Sequence, residues 1–313
     1  MLNFLYCFDN NYSIQGLTSI NSLLGKVSEK INLYIILKDY GDSKFINKHV
    51  GDNEMLNSIN FYTYKDENHK FPRLKNSHVS EATYYRIFMD NYLPKELDYV
   101  TYLDADIICM TNPTIELNKI ISTMKKENFI LGAKNEGTRK KAPIIFNALN
   151  LKNDNYFNAG VIIIDYQNWI NDNISSKLIK IMENKFDDII FWDQDILNIY
   201  YDDNFMKLSN KFNFNLSPAG NDTGLFNEIN KDVIFLHYSG KGKPWDVENI
   251  IYENSAFYQN EYRKLNLDKY HIEFTNKKKT IKSFFKILFK QEYYKLEDKN
   301  SYLRISMKKL FNL

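Results

Sequence analysis

The stretch YVTYLDADIICM, from Tyr99 to Met110, decides the fold class. Its first five residues predict a buried strand, and two carboxylates, Asp104 and Asp106, then interrupt the apolar run. Aspartate is depleted in strands and is rarely buried without a partner. If the strand continues through both residues, their side chains lie on one face and repel each other unless a cation sits between them. The apolar flanks favour this metal-binding strand end over the alternative, a solvated turn.

Segments with strand-like and helix-like patterns alternate through the first half of the chain. The predicted strands are 2–8, 31–37, 59–64, 99–103, 129–133, 160–165 and 232–238. The predicted helices are 13–24, 80–89, 174–186 and 192–201, with Ser80 as an N-cap. The alternation indicates an α/β fold with a mostly parallel central sheet and helices on both faces. Ligands bind such sheets beyond the carboxyl ends of the strands, which is where the aspartate pair lies.

The composition is that of a folded globular protein, with 313 residues of which 44% are hydrophobic and 26% charged. The two cysteines, Cys7 and Cys109, lie in strand-like runs and are predicted to be buried free thiols in a reducing compartment. No segment is long and apolar enough to span a bilayer, and the first residues lack the pattern of a signal peptide. The predicted location is therefore the cytoplasm.

A second group of polar residues follows the last predicted strand, in FLHYSGKGKPW (235–245). His237 ends that strand and would complete a set of two oxygen ligands and one nitrogen ligand with the aspartate pair. Imidazole favours manganese, with magnesium as the alternative. Gly240 and Lys243 would suit a phosphate, because glycine permits close backbone approach and lysine supplies a positive charge. The alternative for His237 is a core or surface residue without a metal.

Six motifs occur in an order that resembles glycosyltransferase family 8, the bacterial galactosyl- and glucosyltransferases of lipopolysaccharide assembly and their relatives. They are DNNY (9–12), HVSEATYYRI (78–87), YLDADII (102–108), FNAGVIIID (157–165), WDQDILN (192–198) and HYSGKGKPW (237–245). The resemblance covers roughly residues 2–250. It implies a Rossmann-like GT-A fold, a UDP-hexose donor, Mn²⁺, and transfer with retention of the anomeric configuration.

The resemblance also assigns roles to individual residues. It implies uridine contacts for Asp9, Asn11, Tyr12 and Val79; a donor-sugar contact for Arg86; metal ligands in Asp104, Asp106 and His237; diphosphate contacts for Gly240 and Lys243; and positions around the donor sugar and its anomeric carbon for Asn158, Asp193 and Gln194. One position departs from the pattern. Where relatives often have aspartate after the GA strand, this chain has GAKNE (132–136), and Glu136 is the candidate replacement.

The predicted reaction transfers galactose or glucose to a glycan acceptor that is lipid-linked, such as a lipopolysaccharide core or a surface polysaccharide. The metal and Lys243 would stabilise the departing UDP. Because an amide is a poor nucleophile, front-face attack by the acceptor, with Gln194 and Asp193 stabilising the sugar cation, is favoured over a covalent intermediate. The alternatives are a protein acceptor, or a non-catalytic protein that binds nucleotide sugars.

The last part of the chain is strongly basic. Residues 277–313 contain eleven Lys and Arg against three Asp and Glu, a net charge of +8, whereas the rest has a net charge of −6. This suggests a catalytic domain at 1–250, a connecting helical segment at 251–276 and a basic amphipathic tail at 277–313. Helical spacing of the apolar residues at 281–289 favours peripheral binding to the anionic inner face of the cytoplasmic membrane over nucleic-acid binding. The alternatives are a helix packed on the enzyme body, or a solvated lysine face.

Overall fold

The computed structural model describes residues 1–65, 69–72, 80–220, 229, 231–274 and 276–311. Its strands are β1 (Asn3–Phe8), β2 (Ile31–Leu37), β3 (Leu56–Thr63), β4 (Tyr99–Leu103), β5 (Ile107–Cys109), β6 (Leu131–Thr138), β7 (Asn155–Asp165), β8 (Met206–Leu208), β9 (Phe214–Asn215) and β10 (Phe235–His237). They form a seven-stranded sheet in the order β3-β2-β1-β4-β7-β6-β8 and a three-stranded sheet in the order β5-β10-β9.

The helices flank the large sheet and continue beyond it. The α-helices are α1 (Ser13–Leu24), α2 (Gly41–Val50), α3 (Thr114–Glu127), α4 (Pro143–Ala148), α5 (Tyr166–Asn171), α6 (Ile174–Asn184), α7 (Trp192–Tyr201), α8 (Ala256–Arg263), α9 (Lys277–Phe289) and α10 (Lys299–Phe311). Several 3₁₀ segments accompany them, at Asn10–Tyr12, Glu81–Asn91, Asn210–Phe212, Glu253–Ser255 and Glu292–Lys295.

The large sheet is mostly parallel, as predicted. Strands β1 to β4 pair in parallel, and β6 pairs in parallel with β8. Among the described strands of this sheet, only β7 is antiparallel to its neighbours, β4 and β6. The carboxyl ends of β1 and β4 therefore meet the start of β7 at one edge of the sheet, which is the edge where α/β sheets bind ligands.

Both faces of the sheet are buried. Side chains alternate along each strand, so every strand contributes residues to both faces. In β1, Phe4, Tyr6 and Phe8 belong to one apolar cluster, which also contains the buried side of α1. Leu5 and Cys7 belong to the cluster on the opposite face. The near-continuous apolar sequence of the strands is typical of a sheet covered on both sides. Cys7 and Cys109 are both buried and free, as predicted.

The aspartate pair lies in a turn between two strands, so its prediction as part of a continuous strand is wrong. Strand β4 ends at Leu103, and β5 starts at Ile107 in the other sheet. The turn is held because the Asp104 amide donates to the Gly160 carbonyl at 2.9 Å and the Tyr238 amide donates to the Asp106 carbonyl at 3.3 Å. The turn held by these bonds brings both carboxylates close together. The alternation of side chains along a strand does not explain their position.

The helix predicted after Ser80 is present, but it is a 3₁₀ helix that extends to Asn91. The Ser80 side chain accepts a hydrogen bond from the Ala82 amide, as expected of an N-cap. Val79, which precedes Ser80 and is predicted to contact uridine, lies outside the described residues.

The C-terminal helices pack on the body of the molecule. In α9, Phe284 and Ile287 are buried, and in α10, Tyr302 and Leu310 are buried. They form an apolar cluster with residues of the 247–272 region, namely Val247, Ile250, Ile251, Tyr270 and Ile272. This is the packed arrangement considered for the tail, although some aromatic side chains of the same helices remain exposed. Among the described residues, every helix is too short or too polar to cross a membrane.

Candidate active site

A cavity of about 580 Å³ opens at the carboxyl edge of the large sheet. A cavity of this size is suited to a ligand of nucleotide-sugar dimensions. The residues singled out from the sequence that line it are Tyr12, Arg86, Asp104, Asp106, Asn158, Asp193, Gln194, His237, Gly240 and Lys243. Asp9 and Asn11 are not among the lining residues.

Asp104, Asp106 and His237 meet on one side of this cavity. Their ligand atoms all lie within 4.8 Å of one another. His237 Nε2 is 3.3 Å from Asp106 Oδ1 and 3.8 Å from Asp104 Oδ2. Asp106 Oδ1 is buried and accepts no hydrogen bond from the residues that the structure describes. A buried carboxylate oxygen without a donor is costly, and a cation among these three groups would remove that cost. The donor set fits a divalent metal.

Gly160 makes room for the ring of His237. A Cβ atom on Gly160 would lie 2.3 Å from His237 Cε1, which is far inside van der Waals contact. The histidine ring therefore packs closely against the backbone of β7 at Gly160. The glycine in the FNAGV motif is explained by this close approach.

Lys243 is tied to the same aspartate. Its Nζ lies 2.6 Å from Asp106 Oδ2 and donates to the Tyr238 carbonyl at 2.7 Å. Burial alone would raise the pKa of Asp106, but the Lys243 ammonium and His237 hold that pKa well below its ordinary value. Asp106 is therefore ionised, and the charge of Lys243 lies at the boundary between the candidate metal site and the cavity.

The loop that carries Lys243 is fixed from within. The Asp246 carboxylate accepts from the Lys243 amide at 2.9 Å, and Asn249 Nδ2 donates to the Lys243 carbonyl at 3.1 Å. Gly240 has a φ of +84°, a left-handed conformation that glycine adopts without strain. The loop thus turns sharply at Gly240 and returns Lys243 to the cavity.

Arg86 and Asp193 form a buried ion pair behind the cavity wall. Arg86 Nε lies 2.5 Å from Asp193 Oδ2, and the two side chains are 3% and 2% exposed. The guanidinium also donates to the Ala159 carbonyl at 2.5 Å and stacks on the Tyr102 ring at 4.0 Å. Burial opposes its charge, but the neighbouring carboxylates, Asp193 first among them, outweigh this effect and raise the pKa of Arg86. The Arg86 guanidinium is therefore charged. Burial raises the pKa of the Asp193 carboxyl, and Arg86 and Thr83 oppose that rise.

Two hydroxyl groups complete this charged cluster. Thr83 Oγ1 donates to Asp193 Oδ1 at 2.7 Å. Tyr102, at the end of β4, donates to Asp104 Oδ1 at 2.7 Å. Arg86 Nη1 lies 3.6 Å from that same oxygen of Asp104. The cluster links the candidate metal site to the start of α7.

Gln194 faces the cavity from the first turn of α7, and both ends of its amide are engaged. Its Oε1 accepts from the Ala159 amide at 2.9 Å, and its Nε2 donates to Tyr156 Oη at 3.0 Å. The buried Asp195 accepts from Tyr156 Oη at 2.5 Å and from two amides of the preceding turn, Ile190 and Phe191. Asp195 thereby fixes the entry to α7 and the hydroxyl that contacts Gln194.

Glu136 lies where β6 bulges. In the pairing of β6 with β7, Asn135 faces Phe157 and Gly137 faces Tyr156, so Glu136 is an extra residue. A bulge of this kind redirects a side chain. Its Oε2 accepts from Asn158 Nδ2 at 3.1 Å and lies 3.4 Å from Gln194 Nε2. The carboxylate is therefore beside the predicted sugar-binding residues.

Three of the predicted uridine residues, Asp9, Asn11 and Tyr12, follow the end of β1. The Asp9 carboxylate caps the 3₁₀ turn that follows, accepting from the Asn11 amide at 3.0 Å. Tyr12 lines the cavity, and its ring meets the edge of Trp245 with centroids 5.9 Å apart. These contacts give Asp9 a structural role in shaping the turn that presents Tyr12.

Several residues of the site were not predicted from the sequence. They are Thr83, Tyr102, Tyr156 and Asn213, each of which contacts a predicted site residue through its side chain. Thr83, Tyr102 and Tyr156 lie within or beside recognisable motifs, and their hydroxyls gave the only signal. Asn213 lies in KFNFN (211–215), which resembles no motif.

The chain is similar to known glycosyltransferases. A family model for glycosyl transferase family 8 matches residues 3–249. The lipopolysaccharide 1,3-galactosyltransferase of Salmonella typhimurium is 30% identical in an alignment of 254 positions that covers 78% of this chain and 72% of that protein. A lipopolysaccharide 1,2-glucosyltransferase of Escherichia coli is 27% identical in an alignment of 277 positions that covers 83% of this chain and 77% of that protein.

The fold also has a match among solved structures. The galactosyltransferase LgtC, solved in complex with donor and acceptor sugar analogues, superposes with a TM-score of 0.70 at 21% sequence identity. The match covers 84% of this chain and 96% of that structure. It confirms the mixed α/β fold of GT-A type.

Proposed function

Because this chain belongs to glycosyl transferase family 8, we propose that it transfers galactose or glucose from a UDP-sugar to a glycan acceptor, with retention of the anomeric configuration. The observation that carries the proposal is the convergence of Asp104, Asp106 and His237 at the wall of the cavity that also contains Gln194. Family membership supports the class of reaction, and the geometry supports a metal-assisted route.

The metal we propose is Mn²⁺, with Mg²⁺ as the alternative, held by Asp104, Asp106 and His237. The fit rests on the buried Asp106 Oδ1, which accepts no hydrogen bond from the described residues, and on the mixed oxygen and nitrogen donors, of which the imidazole favours manganese. When bound, the metal would act as a Lewis acid on the diphosphate. The chain itself contributes the ammonium of Lys243, which would bind the same negatively charged leaving group.

The proposed reaction is balanced without a protein nucleophile. The bond between the anomeric carbon and the diphosphate oxygen breaks, and its electron pair leaves with UDP. The acceptor hydroxyl forms the new bond on the same face, and its proton goes to the leaving phosphate oxygen. Asp193 supports this route, because Thr83 and Arg86 already bind its oxygens and its side chain is buried. Gln194 would face the positive charge that develops on the sugar.

For the acceptor, we propose a lipid-linked glycan. The curated relatives at 30% and 27% identity are named for lipopolysaccharide transfer, which supports this class. A protein acceptor is the alternative. Incubation of the active enzyme with radiolabelled donor and either lipid-linked oligosaccharide or protein fractions separates the two.

The same proposal includes peripheral binding to an anionic membrane through residues 277–313. On α9, the side chains of Phe285 and Phe289 are 55% and 91% exposed. Lysines at 282, 286 and 290 are close to them in sequence, within the strongly basic tail. Exposed aromatic side chains beside lysines are suited to the interface of an anionic leaflet.

The decisive experiment presents a panel of UDP-sugars to the full-length protein and records donor hydrolysis with and without Mn²⁺. We expect hydrolysis of UDP-galactose or UDP-glucose that is lost in chelator and in Asp104→Asn. Equal turnover in excess chelator would contradict the metal role. Donor binding without turnover, with every acceptor supplied, would favour a non-catalytic binding protein.

A second measurement tests the front-face route. Mass spectrometry of the enzyme quenched during turnover should detect unmodified protein only. A hexose attached to Asp193 would contradict the front-face route and indicate a covalent intermediate.

A further inference from the structure

Asn213 connects the candidate metal site to the candidate donor site through its side chain. It is fully buried and follows the 3₁₀ helix Asn210–Phe212. Its Nδ2 donates to Asn158 Oδ1 at 2.8 Å, and its Oδ1 lies 2.8 Å from His237 Nδ1. Nothing in the sequence patterns or in the proposed mechanism accounts for a buried amide here.

The direction of every hydrogen bond in this network can be deduced. The backbone amide of Gly160 is a donor only, so the atom of Asn158 that it contacts at 2.9 Å is the side-chain oxygen. The other end of Asn158 is then its nitrogen, which agrees with its contact to the Glu136 carboxylate at 3.1 Å. Asn213 must therefore present its nitrogen to Asn158 and its oxygen to His237.

This order fixes the protonation of the histidine ring. An amide oxygen only accepts, so Nδ1 of His237 carries the hydrogen. In the neutral ring, Nε2 then has a free lone pair, and this is the nitrogen that faces Asp104 and Asp106. Without such a partner, a neutral histidine can place its hydrogen on either nitrogen, and one of the two forms cannot bind a metal through Nε2.

We propose that Asn213 is a positioning residue that holds His237 in the Nδ1–H tautomer and so prepares Nε2 to bind the metal. The inference rests on the proposed metal-dependent function. Partners of this kind fix the orientation of ligating histidines in metal sites, and removing them typically weakens metal binding by about 10- to 100-fold. Here the partner is an amide, and its other end anchors Asn158, so one side chain orders both sites.

The test measures Mn²⁺ binding to the full-length protein in the presence of UDP, by the loss of the free-ion electron paramagnetic resonance signal. Asn213→Leu keeps the approximate size but accepts no hydrogen bond, and we expect a dissociation constant raised by about 10-fold or more. Asn213→Asp still accepts from His237 but cannot donate to Asn158, and we expect Mn²⁺ affinity within about threefold of wild type.

The matched control is Asn254→Leu. Asn254 is also a buried asparagine, and its side chain donates to the carbonyl of Ser217 at 3.1 Å, outside the network. Its replacement should lower the melting temperature and leave Mn²⁺ affinity unchanged. This comparison separates the effect of Asn213→Leu on Mn²⁺ affinity from a general loss of packing.

A second readout concerns the tautomer itself and uses the unmodified protein. Long-range proton–nitrogen correlation spectra of histidine-labelled, metal-free protein contain five ring systems, and His237→Gln assigns the one required. At a pH where the ring is neutral, we expect the Nδ1–H form. The Nε2–H form in wild type, or wild-type Mn²⁺ affinity in Asn213→Leu, would overturn the proposal. Failure of wild type to bind Mn²⁺ or Mg²⁺ would instead refute the metal role in the proposed function, and the tautomer measurement would still test Asn213.

Discussion

At the residue scale, Gly160 shows how a backbone atom sets the geometry of the candidate metal site. We predict that Gly160→Ala displaces His237, because the added methyl carbon would lie 2.3 Å from its ring. Mn²⁺ binding should weaken by at least about 10-fold while the fold is kept, since the ring can move toward the cavity. Equilibrium titration with Mn²⁺ and circular dichroism measure the two quantities.

Gly137→Ala is the matched control for this prediction. Gly137 lies in β6 beside the same cavity, and an added Cβ would have no heavy atom of the described residues within 4 Å. Its Mn²⁺ affinity should match that of wild type. Equal weakening in both variants would mean that the effect comes from the strands and not from His237.

The ion pair of Arg86 and Asp193 permits a second prediction at this scale. Removing one partner leaves a buried charge without compensation, which typically costs about 3–5 kcal/mol. We predict that Arg86→Met and Asp193→Asn each lower the free energy of unfolding, and that the double variant is much more stable than the sum of the two losses implies. Urea unfolding of the four proteins gives the coupling energy. Additive losses would show that the two charges do not interact.

At the element scale, much of the fold was predictable from the sequence. Helix α1, strand β2 and helix α7 have the predicted bounds, because each has a clear apolar pattern and a polar or glycine-containing boundary. Helix α2 was not predicted, since GDSKFINKHV begins with glycine and has few strong helix formers. Helix α3 was also missed, although Leu117, Ile121 and Met124 repeat at helical spacing.

The candidate site was predictable only in part. The motifs named residues that line one cavity, because strand ends in an α/β sheet converge. The turn at Asp104 and the bulge at Glu136 could not be predicted, since both depend on pairing between distant strands. Asn213 could not be found either, because its role depends on two side chains, 55 and 24 positions away.

The loop 239–246 gives a pH-dependent prediction at this scale. Burial, reinforced by the nearby Glu248, raises the pKa of Asp246 to about 6. The usual value is about 3.9, so between about pH 4 and pH 6 the folded state binds more protons than the unfolded state. The contribution of this group to stability is therefore present at low pH and is lost as the pH rises through about 6.

Asp246→Asn should lack this dependence while it still accepts from the Lys243 amide. We predict that the variant gains stability relative to wild type as the pH rises from about 4 to 7, by up to about 3 kcal/mol. Urea unfolding of both proteins across this range measures the difference. Stability curves that run parallel would contradict the raised pKa.

At the scale of the whole molecule, the C-terminal helices are part of the folded body. The Tyr302 hydroxyl donates to the Val247 carbonyl at 3.0 Å, and Lys309 bonds to Glu273 at 2.8 Å. We predict that truncation after residue 276 lowers the melting temperature by several degrees and promotes aggregation, because it uncovers the apolar cluster around Val247. Differential scanning calorimetry and light scattering measure both effects. A truncated protein as stable as the full chain would show that these contacts contribute little.

The outer face of α9 is where packing and membrane binding can be distinguished. Phe284 is buried in the body, whereas Phe289 is 91% exposed. We predict that the double variant Phe285→Ser and Phe289→Ser loses most of its flotation with anionic vesicles and keeps its melting temperature, because both side chains are more than half exposed and would enter the interface. Ile115→Ser, a change at a 63% exposed position of α3, is the control and should float as wild type does.

Neutral vesicles or high salt should release the wild-type protein, since lysines supply the attraction. Equal flotation of the double variant would mean that the aromatic face does not contact the membrane.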